Sequence, residues 1–337
     1  MILNHVAGWL TASRLAFDRL RTASRMIFAI GLALLSGLSN APTAVAVTIS
    51  DIVTFDSSLS DTGNAFALSG GPGAPYVGGR ATNGPVWVEQ LATLLGVPVP
   101  TASVLGGSNY AFSGAEAGPG FKNVGWQVDQ YLGGHTPRPS DLFVLSGGQN
   151  NFSNGEFDPA VPAAYMADHI ATLASAGAAN FVVLNILPIG EVPAFNFAPP
   201  EEADYFNQLA AGFNAEFAAR VDDLRASLSI NIVLVDWHGL VESIIADPGA
   251  FGLTNVDDPA FNGATVVSNP EDYLFWDYLH PTTTAHGILA SAAYAGVQQS
   301  ILSQTWIVPE PATSLMLVMG VAALIGVAER RRRKRRR

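Results

Sequence analysis

Three side chains in this chain of 337 residues are of the types that together break ester and amide bonds. Ser58 lies in the run Phe-Asp-Ser-Ser-Leu-Ser-Asp-Thr-Gly-Asn at residues 55–64, and Asp277 and His280 lie in Phe-Trp-Asp-Tyr-Leu-His-Pro at residues 275–281. A serine hydroxyl is a weak nucleophile until a base takes its proton, and an imidazole is a useful base when a carboxylate fixes its tautomer. The spacing of three residues allows one helical turn to bring Asp277 beside His280. We therefore expect acyl transfer to water, with Ser58 as nucleophile, His280 as base and Asp277 as the residue that orients the base.

The elements that must position these residues alternate between short apolar strands and longer helical segments. Near-continuous apolar strands are typical of a parallel sheet with helices on both faces, and regular alternation favours right-handed crossovers. The predicted fold class is α/β, a three-layer αβα sandwich around a central, mainly parallel five-stranded sheet. Two loops rich in glycine, proline and asparagine, residues 70–79 and 246–269, are expected to form the rims of a cleft. The predicted strands are residues 49–55, 108–112, 142–146, 181–186 and 230–236, and the predicted helices are residues 86–95, 124–132, 162–174, 201–227 and 282–302.

The candidate residues fall at one edge of this predicted sheet. Ligands of open α/β sheets bind beyond the carboxyl ends of the strands. Ser58 follows the first predicted strand, Gly114 the second and Asn150 the third, while Asp277 and His280 precede the last helix. This common placement favours a single site.

Four sequence blocks, in this order, resemble the GDSL or SGNH hydrolase family of esterases and lipases. They are residues 55–64, residues 107–115 (Gly-Ser-Asn-Tyr-Ala-Phe-Ser-Gly-Ala), residues 147–151 (Gly-Gly-Gln-Asn-Asn) and residues 276–282 (Trp-Asp-Tyr-Leu-His-Pro-Thr). The first block agrees at eight of ten positions with the family's Phe-Gly-Asp-Ser-Leu-Ser-Asp-Thr-Gly-Asn. The resemblance covers nearly all of the chain between its two ends. It implies the SGNH-hydrolase, flavodoxin-like form of the α/β fold and an ester hydrolase of the lipase/acylhydrolase branch.

The resemblance also implies the roles of individual residues. Ser58 takes the place of the nucleophile, with Asp277 and His280 completing the catalytic set. The backbone N–H groups of Ser58 and Gly114 and the side-chain amide of Asn150 take the places of the oxyanion-hole donors, which a tetrahedral intermediate requires. No cofactor and no metal ion is expected.

Two residues depart from the family block next to the nucleophile. Asp56 replaces a glycine, which predicts strain in the turn, and Ser57 replaces an aspartate and makes fewer hydrogen bonds. Reading Ser57 as the nucleophile would shift the register and lose the match over residues 59–64. The departures favour a second interpretation, in which a catalytically weakened surface or matrix protein keeps the fold and binds extracellular polysaccharide.

The amino-terminal end, residues 1–46, is interpreted as a secretory signal peptide. Arginines precede the apolar run at residues 26–35, and Ala-Val-Ala at residues 44–46 is a small-x-small cleavage site. Translation could begin at Met1 or at Met26. An amphipathic core helix is the alternative interpretation.

The carboxyl-terminal end, residues 308–337, resembles the PEP-CTERM sorting signal of Gram-negative bacteria. Val-Pro-Glu-Pro at residues 308–311 precedes an uncharged stretch at residues 312–328 and a basic tail at residues 330–337. The stretch is long enough for a thin bilayer, and the tail would hold the end of the chain in the cytoplasm. The resemblance implies a transient inner-membrane anchor that an exosortase cuts near residues 309–311. A plain single-span anchor is the alternative.

The remaining piece, residues 47–307, is predicted to be one hydrolase domain that is exported to the periplasm, the cell surface or the medium. Without the two ends, the formal net charge falls from −11 to about −20, which argues against nucleic acid as a partner. The absence of cysteine excludes thiol catalysis and thiolate metal sites. The expected partners are a small-molecule, lipid or acetylated-sugar ester as substrate, and the exosortase. Neither acyl-chain length nor oligomeric state follows from the sequence.

Overall fold

The computed structural model describes residues 45–46, 48–302 and 305–306. Contacts divide the chain into Val47–Gln304 and a second unit of Met1–Ala46 with Thr305–Arg337. In the second unit the described residues form a short antiparallel pair, β1 (Val45–Ala46) with β8 (Thr305–Trp306). The rest of the predicted signal peptide, the apolar stretch and the basic tail lie outside the described residues. Among the helices that are described, none is long and apolar enough to cross a bilayer.

A sheet of four parallel strands forms the centre of the unit Val47–Gln304. Its strands lie in chain order, and every residue of the two inner strands is buried. Strands buried on both faces explain the near-continuous apolar runs in the sequence. The strands are β2 (Asp51–Phe55), β3 (Asp141–Leu145), β4 (Asn180–Leu184) and β5 (Asn231–Val235).

The second predicted strand, residues 108–112, is not a strand of this sheet, because it pairs with β2 only at Asn109, through an isolated bridge to Thr54. Continued pairing would require the N–H of Asp56 to donate to the carbonyl of Tyr110. Instead, that N–H donates to Oε1 of Gln127 at 2.9 Å. The carbonyl of Asp56 still accepts from the N–H of Phe112 at 3.1 Å, so the segment keeps its position beside β2. The described sheet therefore has four strands where the sequence predicted five.

Helices cover both faces of the sheet, which confirms the predicted three-layer α/β sandwich. Successive residues of β2 show the division, since Ile52 packs in one core cluster and Val53 in the other. The face with Ile52 carries α2, α7 and α8, and the face with Val53 carries α3, α5 and α6. The helices are α1 (Asn64–Ser69), α2 (Trp87–Leu95), α3 (Val124–Gly134), α4 (Gln149–Ser153), α5 (Ala160–Ser175), α6 (Pro200–Ser227), α7 (Trp237–Ala246) and α8 (Thr283–Val297).

A small parallel pair lies in the segment before α8. It consists of β6 (Asn255–Pro259) and β7 (Tyr273–Phe275), and the sequence did not predict it. The N–H of Trp276 donates to the carbonyl of His280 at 2.7 Å, and Phe275 bridges Pro281. These contacts close the chain between β7 and α8 into a tight loop. Asp277 and His280 lie in this loop.

Candidate active site

The structure brings the three residues predicted to do the chemistry into one hydrogen-bonded row. Ser58 lies half-buried in the turn that follows β2. Its Oγ is 2.9 Å from Nε2 of His280, which lies 222 residues further along the chain. On the other side of the ring, Nδ1 of His280 is 2.9 Å and 3.0 Å from the two carboxylate oxygens of Asp277. This is the geometry that a serine nucleophile, its base and an orienting carboxylate require.

The segment from Asp277 to His280 is a bend and not the helical turn that the sequence suggested. Oδ1 of Asp277 accepts the backbone N–H groups of Leu279 at 2.8 Å and His280 at 2.7 Å. An aspartate that bonds to backbone groups two and three residues ahead forms a turn of its own. The turn supplies the proximity that was expected from a helix.

Helix α8 begins directly after this loop. The hydroxyl of Thr282 accepts the N–H of Ala285 at 3.2 Å, which is a side-chain cap at the start of the helix. The same hydroxyl donates to the carbonyl of Tyr273 at 2.7 Å. Thr282 therefore ties the start of α8 to β7, and the loop with His280 is held at both ends.

Asp277 is ionised in this environment. Burial by itself would raise the pKa of Asp277. The hydrogen bond and the attraction of His280, together with the N–H donors of Leu279 and His280, outweigh burial and hold the pKa below its ordinary value. An ionised carboxylate accepts the proton on Nδ1 of His280. This leaves Nε2 free to accept the proton of the Ser58 hydroxyl.

Tyr76 is a further member of the site that the sequence did not reveal. Its hydroxyl donates to Oδ2 of Asp277 at 2.8 Å, and its ring packs edge-on against Trp276 and Phe261. Burial and the neighbouring anion raise the pKa of the Tyr76 hydroxyl, so it remains a donor. Tyr76 lies in the loop at residues 70–79, which was predicted as a rim. No sequence motif around Tyr76 indicates this role, because the hydrogen bond joins residues that are 201 positions apart.

Of the two predicted oxyanion donors beyond Ser58, only Asn150 lines a cavity together with the reacting groups. It lines a cavity of about 100 Å³ together with Ser58 and His280. One N–H of its side chain donates to the carbonyl of Ala115 at 2.8 Å, which fixes the amide and leaves its second N–H. A larger open cavity, of about 630 Å³, lies around Asp51 at the opposite end of β2 and has no contact with Ser58.

Gly114 does not line the cavity beside Ser58 and His280, although it directly precedes Ala115, which accepts the hydrogen bond of Asn150. A glycine can be required at a position by close packing or by the backbone conformation. A Cβ at Gly114 would meet nothing within 4 Å, so crowding by the protein is not the reason. Its φ of +83°, in the turn closed by the N–H of Ala115 and the carbonyl of Phe112, is the conformation that favours glycine.

The serine next to the nucleophile has a different environment. Ser57 is fully buried, and its Oγ accepts a hydrogen bond from Nε2 of Gln149 at 2.7 Å. His280 contacts Ser58 and not Ser57. The geometry therefore favours the register in which Ser58 is the reactive serine.

Asp56 does not strain the turn, contrary to the expectation from the family block. It is fully buried and does not have positive φ, which among non-glycine residues of the described chain occurs only at Lys122. Its carboxylate accepts the N–H of Ser57 at 2.6 Å and forms a short hydrogen bond with the hydroxyl of Ser60. The hydroxyl of Ser60 in turn accepts Nε1–H of Trp87 at 2.8 Å. A carboxylate one position earlier than in the family block thus holds the backbone behind Ser58.

Burial raises the pKa of Asp56 to about 6, with hydrogen bonds from Ser60, Ser57 and Ser146 partly opposing the effect. The unfolded chain loses this proton near pH 3.8, whereas the folded protein keeps it to about pH 6. Between these values the folded state holds more protons, so rising pH destabilises it.

We expect Asp56→Asn to remove this pH-dependent loss of stability, because the amide does not titrate. The free energy of unfolding of the natural chain, minus that of the variant, should fall by about 2–3 kcal/mol between pH 4 and pH 7. Denaturant titrations of both proteins at several pH values measure it. A difference that is constant or rises with pH would show that Asp56 is not a buried acid with a raised pKa.

The sequence pattern of one known family covers most of the chain. The family described as GDSL-like Lipase/Acylhydrolase matches residues 52–293, a range that includes Ser58, Asn150, Asp277 and His280. The chain belongs to this family. The predicted class of enzyme, a carboxylic ester hydrolase, is thereby confirmed at the level of the family.

Individual relatives match most of the chain. A thermolabile hemolysin of Vibrio parahaemolyticus is 30% identical in an alignment of 271 positions that covers 72% of this chain and 62% of the hemolysin. A phosphatidylcholine-sterol acyltransferase of Aeromonas hydrophila is 24% identical over 72% of this chain and 89% of its own. Esterase EstA of Pseudomonas aeruginosa is 28% identical over 82% of this chain and 50% of its own. This chain thus spans less than two thirds of the hemolysin.

Among solved structures, a lipolytic protein of the G-D-S-L family from Veillonella parvula is similar. It is 14% identical, with a TM-score of 0.44, over 74% of this chain and 97% of that one.

Within the described part of this chain, no group of three or more His, Asp or Glu side chains is arranged to hold a metal ion.

Proposed function

We propose that this chain is a serine ester hydrolase that works through a covalent acyl-enzyme. The observation that carries the proposal is the contact of 2.9 Å between Nε2 of His280 and Oγ of Ser58, with Asp277 on the opposite side of the ring. A serine and a histidine can meet by chance. The carboxylate that fixes the tautomer, and a cavity against both reacting atoms, make a chemical role the better explanation.

In the first half of the proposed reaction, Oγ of Ser58 attacks the carbonyl carbon of the ester while His280 takes the hydroxyl proton. The tetrahedral intermediate collapses when the bond to the alcohol oxygen breaks, and His280 gives its proton to the leaving alcohol. In the second half, a water molecule attacks the acyl group on Ser58, with His280 again as base. The products are one alcohol and one carboxylic acid.

Charge on the carbonyl oxygen is the main barrier in such a step, and donors that are already in place lower it. In our proposal the N–H groups of Ser58 and Gly114 and the free N–H of Asn150 supply them. The amide of Asn150 is pre-oriented by Ala115, so little reorganisation is needed during the reaction.

The proposal extends to substrate and location. We propose a small-molecule, lipid or acetylated-sugar ester as substrate, and an exported protein that an exosortase releases from a transient inner-membrane anchor. The name of one relative, a phosphatidylcholine-sterol acyltransferase, agrees with a lipid ester as substrate. The export and anchoring steps rest on the two chain ends, outside the described residues.

Turnover of p-nitrophenyl butyrate by the purified full chain tests the proposed function, and Asn150→Ala tests the oxyanion hole. We expect the variant to lower kcat about 10²–10³-fold with little change in KM, because the lost donor acts mainly on the transition state.

The matched control is Asn154→Ala, which removes an exposed asparagine whose amide donates to Glu116. We expect it to keep the kcat of the natural chain. A folded Asn150→Ala variant with an unchanged kcat would remove Asn150 from the mechanism. No turnover by the natural chain on any ester would contradict the function itself.

A further inference from the structure

The cavity against Ser58 and His280 has one polar and one apolar side. The polar side is formed by Gln149, Asn150 and Ser153. The apolar side is formed by side chains from three separate segments of the chain. They are Leu187, Ile189, Val192, Trp237, Phe275 and Leu279.

The inner part of the apolar wall belongs to the protein core. Val192, Trp237 and Phe275 are 4%, 2% and 1% exposed, and all three pack in the core cluster on the face with α2, α7 and α8. Interiors of this kind are close-packed, and forcing additional methylene groups into them displaces side chains and backbone. The wall therefore limits the size of any group that enters.

The volume of about 100 Å³ sets that limit. A methylene group is similar in size to a water molecule, which takes about 30 Å³ in the liquid. About three such groups fill the cavity. An acyl group up to butyryl places its chain inside, whereas an octanoyl chain has to leave several methylene groups outside.

The acyl side of the ester fits this cavity better than the alcohol side. The acyl group stays bonded to Ser58 through both halves of the reaction, while the alcohol has to leave after His280 protonates it. The apolar wall beside Ser58 suits the retained group, while the leaving group has to pass out of the cavity.

We infer that this cavity is the acyl-binding pocket of the enzyme and restricts it to esters of short acyl groups, from acetyl to butyryl. The inference rests on the proposed function. It names the substrate class that the sequence left open, and it sets this chain apart from an enzyme that binds a long fatty acyl chain in the same place.

The test is a series of p-nitrophenyl esters with acyl groups of two, four, eight and twelve carbons, hydrolysed by the full chain. The alcohol is constant, so kcat/KM reports the acyl group alone. Discrimination by one methylene group in an apolar pocket is about 10–200-fold. We expect kcat/KM to be highest with two or four carbons and at least tenfold lower with eight.

A value of kcat/KM that is level or rises up to eight or twelve carbons would overturn the inference while leaving the proposed function intact. No turnover with any ester would overturn the proposed function, and the inference with it. The two failures are therefore distinguishable.

Two matched variants test whether the acyl chain of the substrate lies in the cavity. Leu187 lines the cavity, while Leu95 does not, and both are partly buried leucines that pack against the same core cluster. Leu187→Ala enlarges the cavity, so we expect the ratio of kcat/KM for eight carbons over four carbons to rise at least fivefold. Leu95→Ala should keep the ratio of the natural chain. An unchanged ratio in Leu187→Ala, or an equal rise in both variants, would place the acyl chain elsewhere.

Discussion

Replacing Ser58 with alanine is expected to lower kcat for ester hydrolysis about 10⁶-fold. The remaining rate is the one that the oxyanion-hole donors and substrate binding sustain without a nucleophile. The variant keeps His280, Asp277 and the cavity but has no hydroxyl to form the acyl-enzyme. Because Ser58 acts in the chemical steps, KM should change little. Initial rates with p-nitrophenyl butyrate, corrected for spontaneous hydrolysis, measure the loss.

The neighbouring serine provides the matched control. Ser57→Ala removes the same hydroxyl from the same turn, but this hydroxyl is buried and bonded to Gln149. We expect Ser57→Ala to keep kcat within about tenfold of the natural chain, since removing one neutral hydrogen bond costs about 1 kcal/mol. A Ser58→Ala variant that retains a hundredth of the activity, or an equal loss in Ser57→Ala, would contradict the assignment of the nucleophile.

The second large effect is expected for Asp277→Asn, which should lower kcat about 10⁴-fold. The carboxylate accepts the proton on Nδ1 of His280, and an amide can present its N–H there instead. The imidazole would then carry its proton on Nε2, facing Ser58, and could no longer act as base. Rates with the same ester measure the effect, and a melting curve shows that the fold is kept.

Tyr76→Phe is the control for this substitution, because it perturbs Asp277 without removing its carboxylate. It removes one hydrogen bond to Asp277 but leaves the carboxylate and its two backbone donors, and the phenyl ring keeps its packing on Trp276. A loss of no more than about 100-fold is expected, since a hydrogen bond to a charged group contributes about 1.5–3 kcal/mol and the anion keeps other partners. If Tyr76→Phe lost as much as Asp277→Asn, tautomer control by Asp277 would not be the explanation.

The parts of the fold that depend on local pattern could be predicted from the sequence. Apolar runs identified the four sheet strands, because strands buried on both faces have no alternation to obscure them. The common edge of Ser58 and Asn150 followed from parallel topology, since each comes after a predicted strand. Exact helix ends did not follow, and the short helices α1, α4 and α7 were not predicted.

The predictions that were wrong or missing concern contacts between residues that are far apart in the sequence. The predicted strand at residues 108–112 stops pairing because Gln127, 71 residues away from Asp56, takes the N–H of Asp56. Tyr76 reaches Asp277 across 201 residues through the packing of Trp276 and Phe261. A one-dimensional pattern contains no signal for either contact. The turn formed by Asp277 was missed for another reason, since a spacing of three fits both a helix and an aspartate turn.

Asp56 shows how a family pattern can mislead at a single position. A glycine in a family block suggests a conformation that other residues avoid, yet Asp56 does not have positive φ. Its carboxylate bonds to Ser57 and Ser60. Because the contact between Ser58 and His280 is intact beside this arrangement, the departures no longer favour a weakened binding protein over an enzyme.

The most direct test of the account is the site of covalent attack by a fluorophosphonate. The serine oxygen bonds to phosphorus and fluoride leaves, so the reaction reports an activated hydroxyl without reference to any substrate. After labelling of the full chain and digestion, mass spectrometry should find the adduct on Ser58, no adduct in Ser58→Ala and far less in His280→Ala. An adduct on Ser57, or a chain that hydrolyses esters but takes no label at Ser58, would contradict the account.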